Sequence, residues 1–193
     1  MRIEISKKYA NDYGVKILPE QVLVSNGSSL LLYLAIRILA PPGSQVILTD
    51  PCYACYENVV RLAGAEPVMI KLRHEDGFQL NVDDLKKRVT PKTRAILINS
   101  PMNPTGVVFS SEVMKAIAEL DIPVISDEIY ADLSFEDPPC SFLSYSPQTV
   151  AIHGFSKSYA MTGWRLGYMI TPLEWMSAAE RWLGEKPDGA DES

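Results

Sequence analysis

Short apolar runs recur along this chain, each separated from the next by a longer stretch of mixed character. Val22–Val24, Val46–Thr49, Pro67–Lys71, Arg94–Ile98, Val124–Ser126, Val150–His153 and Leu166–Ile170 have the length and composition of strands. Between them, Ser28–Leu39, Tyr53–Ala63 and Glu112–Leu120 have helical length and composition. Asn81 is placed to cap a further helix through Asp83, Leu85 and Val89, after the turn His74-Glu75-Asp76-Gly77. Strands alternating with helices imply a mostly parallel sheet covered on both faces, so the predicted class is a three-layer α/β/α fold.

The alternation stops near position 172. Trp175–Leu183 starts a further helix, whereas Gly184–Ser193 is rich in Gly, Pro and acidic residues and is expected to be a disordered tail. The predicted organisation is one domain over residues 1–172, followed by a partial helix and tail over 173–193. No internal repeat interrupts it.

Composition narrows the function classes. A chain of 193 residues with 47% hydrophobic and 22% charged content can bury one ordinary core. A formal net charge of -6 with no Lys/Arg cluster argues against a nucleic-acid partner, because phosphate contacts need a basic face. The longest apolar stretch, Leu30–Ala40, is interrupted by Arg37 and is shorter than the roughly 20 residues of a membrane-spanning helix. The N-terminus lacks the apolar core of a secretory signal, so the expected location is cytoplasmic and the three cysteines are expected to be reduced. Cys52 and Cys55 form a C-x-x-C, but no second pair or nearby His completes a ligand set, and no metal site is expected.

In an open α/β sheet ligands bind beyond the carboxyl ends of the strands. The residues after successive runs read Asn26-Gly27-Ser28-Ser29, Asp50-Pro51-Cys52-Tyr53, Asn99-Ser100-Pro101-Met102-Asn103-Pro104-Thr105-Gly106, Asp127-Glu128-Ile129-Tyr130 and Gly154-Phe155-Ser156-Lys157. A lysine, an acid, two tyrosines and a Gly-Ser-Ser turn thus converge on one edge. Gly27-Ser28-Ser29 opens a helix, where backbone N–H groups and hydroxyls suit an anion, although a Ser cap without a ligand is equally compatible. Asp127 ends an apolar run, where a carboxylate either needs a partner or caps a helix after it. Taken singly, Lys157 reads as a solvated lysine, Tyr130 as packing and Asn103-Pro104 as a turn former.

The segment Gly154-Phe155-Ser156-Lys157-Ser158-Tyr159-Ala160-Met161-Thr162-Gly163-Trp164-Arg165-Leu166-Gly167 resembles the Schiff-base signature of the class I/II aminotransferases, with Gly-x-Arg-x-Gly following the lysine. The resemblance extends from about Leu18 to Pro172 through Ser25-Asn26-Gly27-Ser28-Ser29, Asp50-Pro51-Cys52-Tyr53, Ser100 to Gly106 and Asp127-Glu128-Ile129-Tyr130. It implies the large domain of a fold type I enzyme that uses pyridoxal 5'-phosphate to transfer an amino group from an amino acid to a 2-oxo acid.

By this resemblance Lys157 carries the Schiff base and moves protons as a neutral amine. Asp127 pairs with the pyridine nitrogen, and Tyr130 and Asn103 hydrogen-bond the ring oxygen. Tyr53 stacks on the ring. Gly27, Ser28, Ser29, Ser156 and Arg165 form the phosphate cup, with Gly154 standing where some members have a further serine. Tyr56, Tyr159, Trp164, His74 and His153 read as packing or surface. The resemblance stops before the small C-terminal domain that carries the carboxylate-binding arginine, so the chain is expected to be a fragment and by itself a poor transaminase. A homodimer is expected of the full-length form. A carbon-sulfur lyase, a decarboxylase or a non-catalytic regulatory module of the same fold would share these residues.

Overall fold

The computed structural model describes residues 1–133 and 140–184. Among these residues seven strands, β1 (Val22–Ser25), β2 (Gln45–Asp50), β3 (Glu66–Lys71), β4 (Thr93–Asn99), β5 (Val124–Asp127), β6 (Thr149–Gly154) and β7 (Gly167–Ile170), form one sheet in the order β1-β7-β6-β5-β4-β2-β3. Only β7 runs against its two neighbours; the other pairings are parallel. The reversal has a consequence for the site. Because Ser25 at the end of β1 pairs with Gly167 at the start of β7, the turn after β1 and the segment entering β7 share one edge. The carboxyl ends of β4, β5 and β6 lie along the same edge, with Asn99 opposite Asp127 and Asp127 opposite Ile152.

Among the described residues six α-helices, α1 (Arg2–Asp12), α2 (Ser28–Leu39), α3 (Cys55–Leu62), α4 (Val82–Arg88), α5 (Ser111–Ala118) and α6 (Leu173–Leu183), cover the sheet. The parallel strands are apolar on both faces, and alternate residues serve different layers. Leu97, Ile125 and Ile152 pack under Leu31 and Ala35 of α2, Tyr56 and Val60 of α3, and Met176 and Ala179 of α6. Ile96, Ile98 and Val124 pack under Leu85 of α4 and Met114 and Ile117 of α5. Near the β7 end, Ala151, Tyr168 and Ile170 receive Ile5 and Tyr9 of α1. Each large aliphatic chain buried this way contributes about 1.5–3 kcal/mol before entropy is counted.

The three-layer architecture and all seven strands agree with the pattern of apolar runs. The α2 bounds, Ser28–Leu39, match those read from the sequence, and the boundaries of α3, α5 and α6 differ by a few residues. α3 begins at Cys55, which leaves Tyr53 outside the helix, and α5 runs from Ser111 to Ala118 because the Ser110 hydroxyl accepts from the Val113 N–H and caps it. α1 was not apparent in the apolar pattern: only Ile5 and Tyr9 of its eleven residues are buried. Asn81 caps α4 as expected, accepting from the N–H groups of Asp83 and Asp84. α6 ends at Gly184 in the left-handed conformation, and the tail expected over the last residues lies outside the described ones from 185 onward. Among the described residues no helix is long and apolar enough to cross a membrane.

Candidate active site

Local sequence explains how the edge is built. Gly27 adopts φ +90, and a Cβ there would meet Arg165 Nη2 at 2.7 Å. Gly167 is tighter still, since a Cβ would fall 2.7 Å from Ser28 N and 2.8 Å from Gly27 C. Two glycines thus let the α2 turn and the segment entering β7 touch. Arg165 itself is left-handed at φ 51, a conformation costing a non-glycine residue about 1–3 kcal/mol, and it turns its guanidinium toward Gly27. The uncapped start of α2, with no side-chain acceptor at its first N–H groups, faces the same place.

Beside this turn lies a cavity of about 330 Å³. Its lining includes Ser28, Ser29, Tyr53, Asn103, Asp127, Tyr130, Ser156, Lys157 and Arg165, so it gathers the candidate residues read from the sequence apart from Gly27, which abuts it through Arg165. Lys157 lies on the exposed loop after β6, with Nζ 5.9 Å from the centre of the Tyr130 ring. Asp127 closes β5. Its Oδ2 accepts from the Tyr56 hydroxyl at 2.6 Å and its Oδ1 from the Ile129 N–H at 3.2 Å. Burial pushes this carboxyl above the usual carboxylate range, and those two donors pull it back only in part. The charged lining residues are Asp127, Lys157 and Arg165, a net positive set that suits an anionic ligand.

Several residues to which the sequence had assigned no role also build the site. Asn99, at the end of β4, donates through Nδ2 to the Asp127 carbonyl at 2.8 Å and accepts the Asn103 N–H on Oδ1 at 2.7 Å. It therefore locks the Asn103 loop to β5. Its signal was a polar residue ending a buried apolar run, which must find partners. Tyr56, read as packing, is buried and also supplies the Asp127 hydrogen bond. Tyr53 stands 5.4 Å from Tyr56 in an edge-on arrangement and stays 41% exposed, so its ring is available to a ligand. His153 is buried, accepts the Gly154 N–H and stacks on Tyr168, which agrees with a core role. Cys52 and Cys55 are free thiols, and burial followed by the Asp50 charge pushes the Cys52 thiol up to about 11, opposite to what a redox thiolate needs. Among the described residues no group of three or more His, Cys, Asp or Glu is placed to hold a metal ion.

The chain matches the sequence model of aminotransferase class I and II over residues 1–185. It belongs to that family. A putative aminotransferase of Bacillus subtilis is 41% identical over 180 residues, covering 89% of this chain and 47% of its own length. The aspartate aminotransferase of Geobacillus stearothermophilus is 37% identical, over 92% of this chain and 48% of its own. Among solved structures, Thermus thermophilus aspartate aminotransferase with maleate superposes with a TM-score of 0.90 at 34% identity, covering 94% of this chain and 49% of that one. The chain spans about half the length of the curated relatives it matches. Within this aminotransferase-family site the Gly154 position is crowded: a Cβ would meet Ile129 Cδ1 at 2.9 Å and the Leu166 carbonyl at 3.3 Å, so a serine there would need Ile129 to move.

Proposed function

We propose that the protein is a pyridoxal 5'-phosphate-dependent aminotransferase that moves an amino group from an amino acid to a 2-oxo acid, with Lys157 as the covalent attachment point. One observation carries this reading. A lysine, a carboxylate raised by burial and an uncapped helix start backed by an arginine open into one cavity. Those features fit the cofactor at both ends. Among the described residues no cationic side chain pairs with Asp127, and a protonated ring nitrogen facing it would offset its burial. The N–H groups that open α2, the hydroxyls of Ser28, Ser29 and Ser156, and the Arg165 fork make an anion seat for the phosphate.

When bound, the cofactor supplies an electron sink for the bond broken at the substrate Cα. The remaining work falls to the chain. Asp127 keeps a negative charge against the ring nitrogen, with Tyr56 and Ile129 N–H holding its carboxylate in place. Tyr130 and Asn103 offer polar contacts to the ring oxygen, the latter fixed through Asn99. Tyr53 covers a ring face. With the cofactor bound, the Lys157 amine would be the group that takes and returns the proton at the substrate Cα, a general acid/base role that needs a neutral amine. In this reading residues 1–172 form the cofactor-binding large domain, and the protein acts as a homodimer.

The test is the half-reaction. Cofactor-loaded protein extended to the length of its relatives and mixed with a panel of amino acids should release the matching 2-oxo acid, and 2-oxoglutarate added afterwards should become glutamate, with the 193-residue chain run beside it and expected to be slower. Release of free ammonia without glutamate would replace amino transfer by a lyase outcome.

A further inference from the structure

Directly after Asp127, on the side of the sheet away from the cavity, Glu128 is 1% exposed. The two neighbouring carboxyl groups face opposite layers: Asp127 meets Tyr56 of α3, and Glu128 meets Tyr9 of α1. Four donors converge on Glu128. Oε1 accepts from Ser126 Oγ at 2.9 Å, Ser141 Oγ at 3.0 Å and the Phe142 N–H at 2.9 Å, and Oε2 accepts from the Tyr9 hydroxyl at 3.3 Å. Its main chain is held as well, with its N–H donating to the Ile152 carbonyl at 2.8 Å and its carbonyl accepting from the Ala131 N–H at 2.9 Å. An acid buried among four donors is costly where an apolar residue would fill the space, so its acceptor capacity is what the location uses. Burial pushes this carboxyl up to about 7 despite the donors.

We propose that Glu128 is a positioning residue for the cofactor site: gripped by Ser126, Ser141, Phe142 N–H and Tyr9, it fixes the turn that presents Asp127 and Tyr130 to the cavity. The proposal rests on the cofactor reading above. Asp127 must hold a charge at a set distance from a ring, and Tyr130 a hydroxyl, yet only one residue separates Glu128 from Tyr130. A turn free to rotate about Glu128 would move both groups together. Holding the turn from behind leaves the cavity side of Asp127 and Tyr130 open to the ligand.

The experiment compares wild type, Glu128→Ala and Glu128→Gln in three measurements: pyridoxal-phosphate affinity by fluorescence titration, the pH midpoint of the visible band of lysine-bound cofactor, and amide hydrogen exchange at Ile129 and Ala131 in cofactor-free protein. Glu128→Ala is expected to bind about tenfold more weakly, because several buried donors lose their acceptor together. The band midpoint should shift, and exchange at Ile129 and Ala131 should speed up. Glu128→Gln keeps an acceptor oxygen for three donors and should restore most of each reading. If Glu128→Ala does not fold, Tyr9→Phe and Ser141→Ala remove one donor each and should show the same changes at roughly two- to threefold amplitude. Wild-type affinity, midpoint and exchange in the folded variants would overturn the proposal, whatever happens to thermal stability. Failure of the wild type to take the cofactor is a different result: it sinks the cofactor reading, and exchange at Ile129 and Ala131 alone then decides whether Glu128 holds the turn.

Discussion

The Tyr56 hydroxyl lies 2.6 Å from Asp127 Oδ2 and donates to it, joining the first turn of α3 to the end of β5. Burial raises the Asp127 carboxyl, and this bond is the strongest influence lowering it again. Tyr56 thus helps keep Asp127 charged and aimed.

Tyr56→Phe removes that donor without changing the ring. The expected result is about tenfold weaker pyridoxal-phosphate binding, the order of one hydrogen bond to a charged acceptor. Fluorescence titration measures it. Unchanged affinity would mean that Asp127 needs no help from α3.

Gly167→Ala should be one of the most destabilising single substitutions on the cavity edge. Its Cβ would press on the backbone of Ser28 and Gly27, which no side-chain rotation relieves. Overpacking of this kind costs about 1–3 kcal/mol, whereas Gly163→Ala, with nothing within 4 Å and no positive φ, should leave the urea midpoint nearly unmoved. Equal midpoints for the two variants would refute the contact.

Stability should depend on pH through Glu128. Its folded-state pKa is raised from 4.5 to about 7, so its contribution is complete below about pH 4.5 and is lost as pH rises through about 7. The stability of wild type relative to Glu128→Gln should therefore fall over that window by on the order of 2–3 kcal/mol and then level off. Urea unfolding of cofactor-free protein at a series of pH values measures the difference, and a flat difference curve would contradict the assignment.

Arg165→Lys tests the phosphate seat. A lysine supplies a point charge without the two-pronged fork, so phosphate-containing ligand should bind more weakly while pyridoxal without its phosphate should be unaffected. Equal losses for both ligands would move Arg165 out of the anion site.

The strands were readable because each is a short apolar run, the central ones β4, β5, β6 and β7 almost wholly buried, and burial of that kind leaves a local mark on the sequence. Lys157, Asp127 and the Gly27 turn were singled out through the resemblance of their segments to the class I/II aminotransferases, and the fold brings them to one cavity. The features that escaped depend on partners far along the chain. Tyr56 reaches Asp127 across 71 positions, and Tyr9 reaches Glu128 across 119. α1 has only two buried residues, and its docking is completed by Lys8 and Tyr13 on Asp132, a meeting the topology creates. Asn99 and Asn103 are four residues apart, yet their bond depends on the shape of the intervening loop.

Whether Lys157 holds the cofactor is tested most directly by borohydride reduction of protein loaded with pyridoxal phosphate, followed by peptide mapping. The label should appear on the peptide containing Lys157, and both the label and the visible band should be lost in Lys157→Ala. A label on any other lysine, or a band that survives Lys157→Ala, would contradict the assignment of Lys157 as the attachment point.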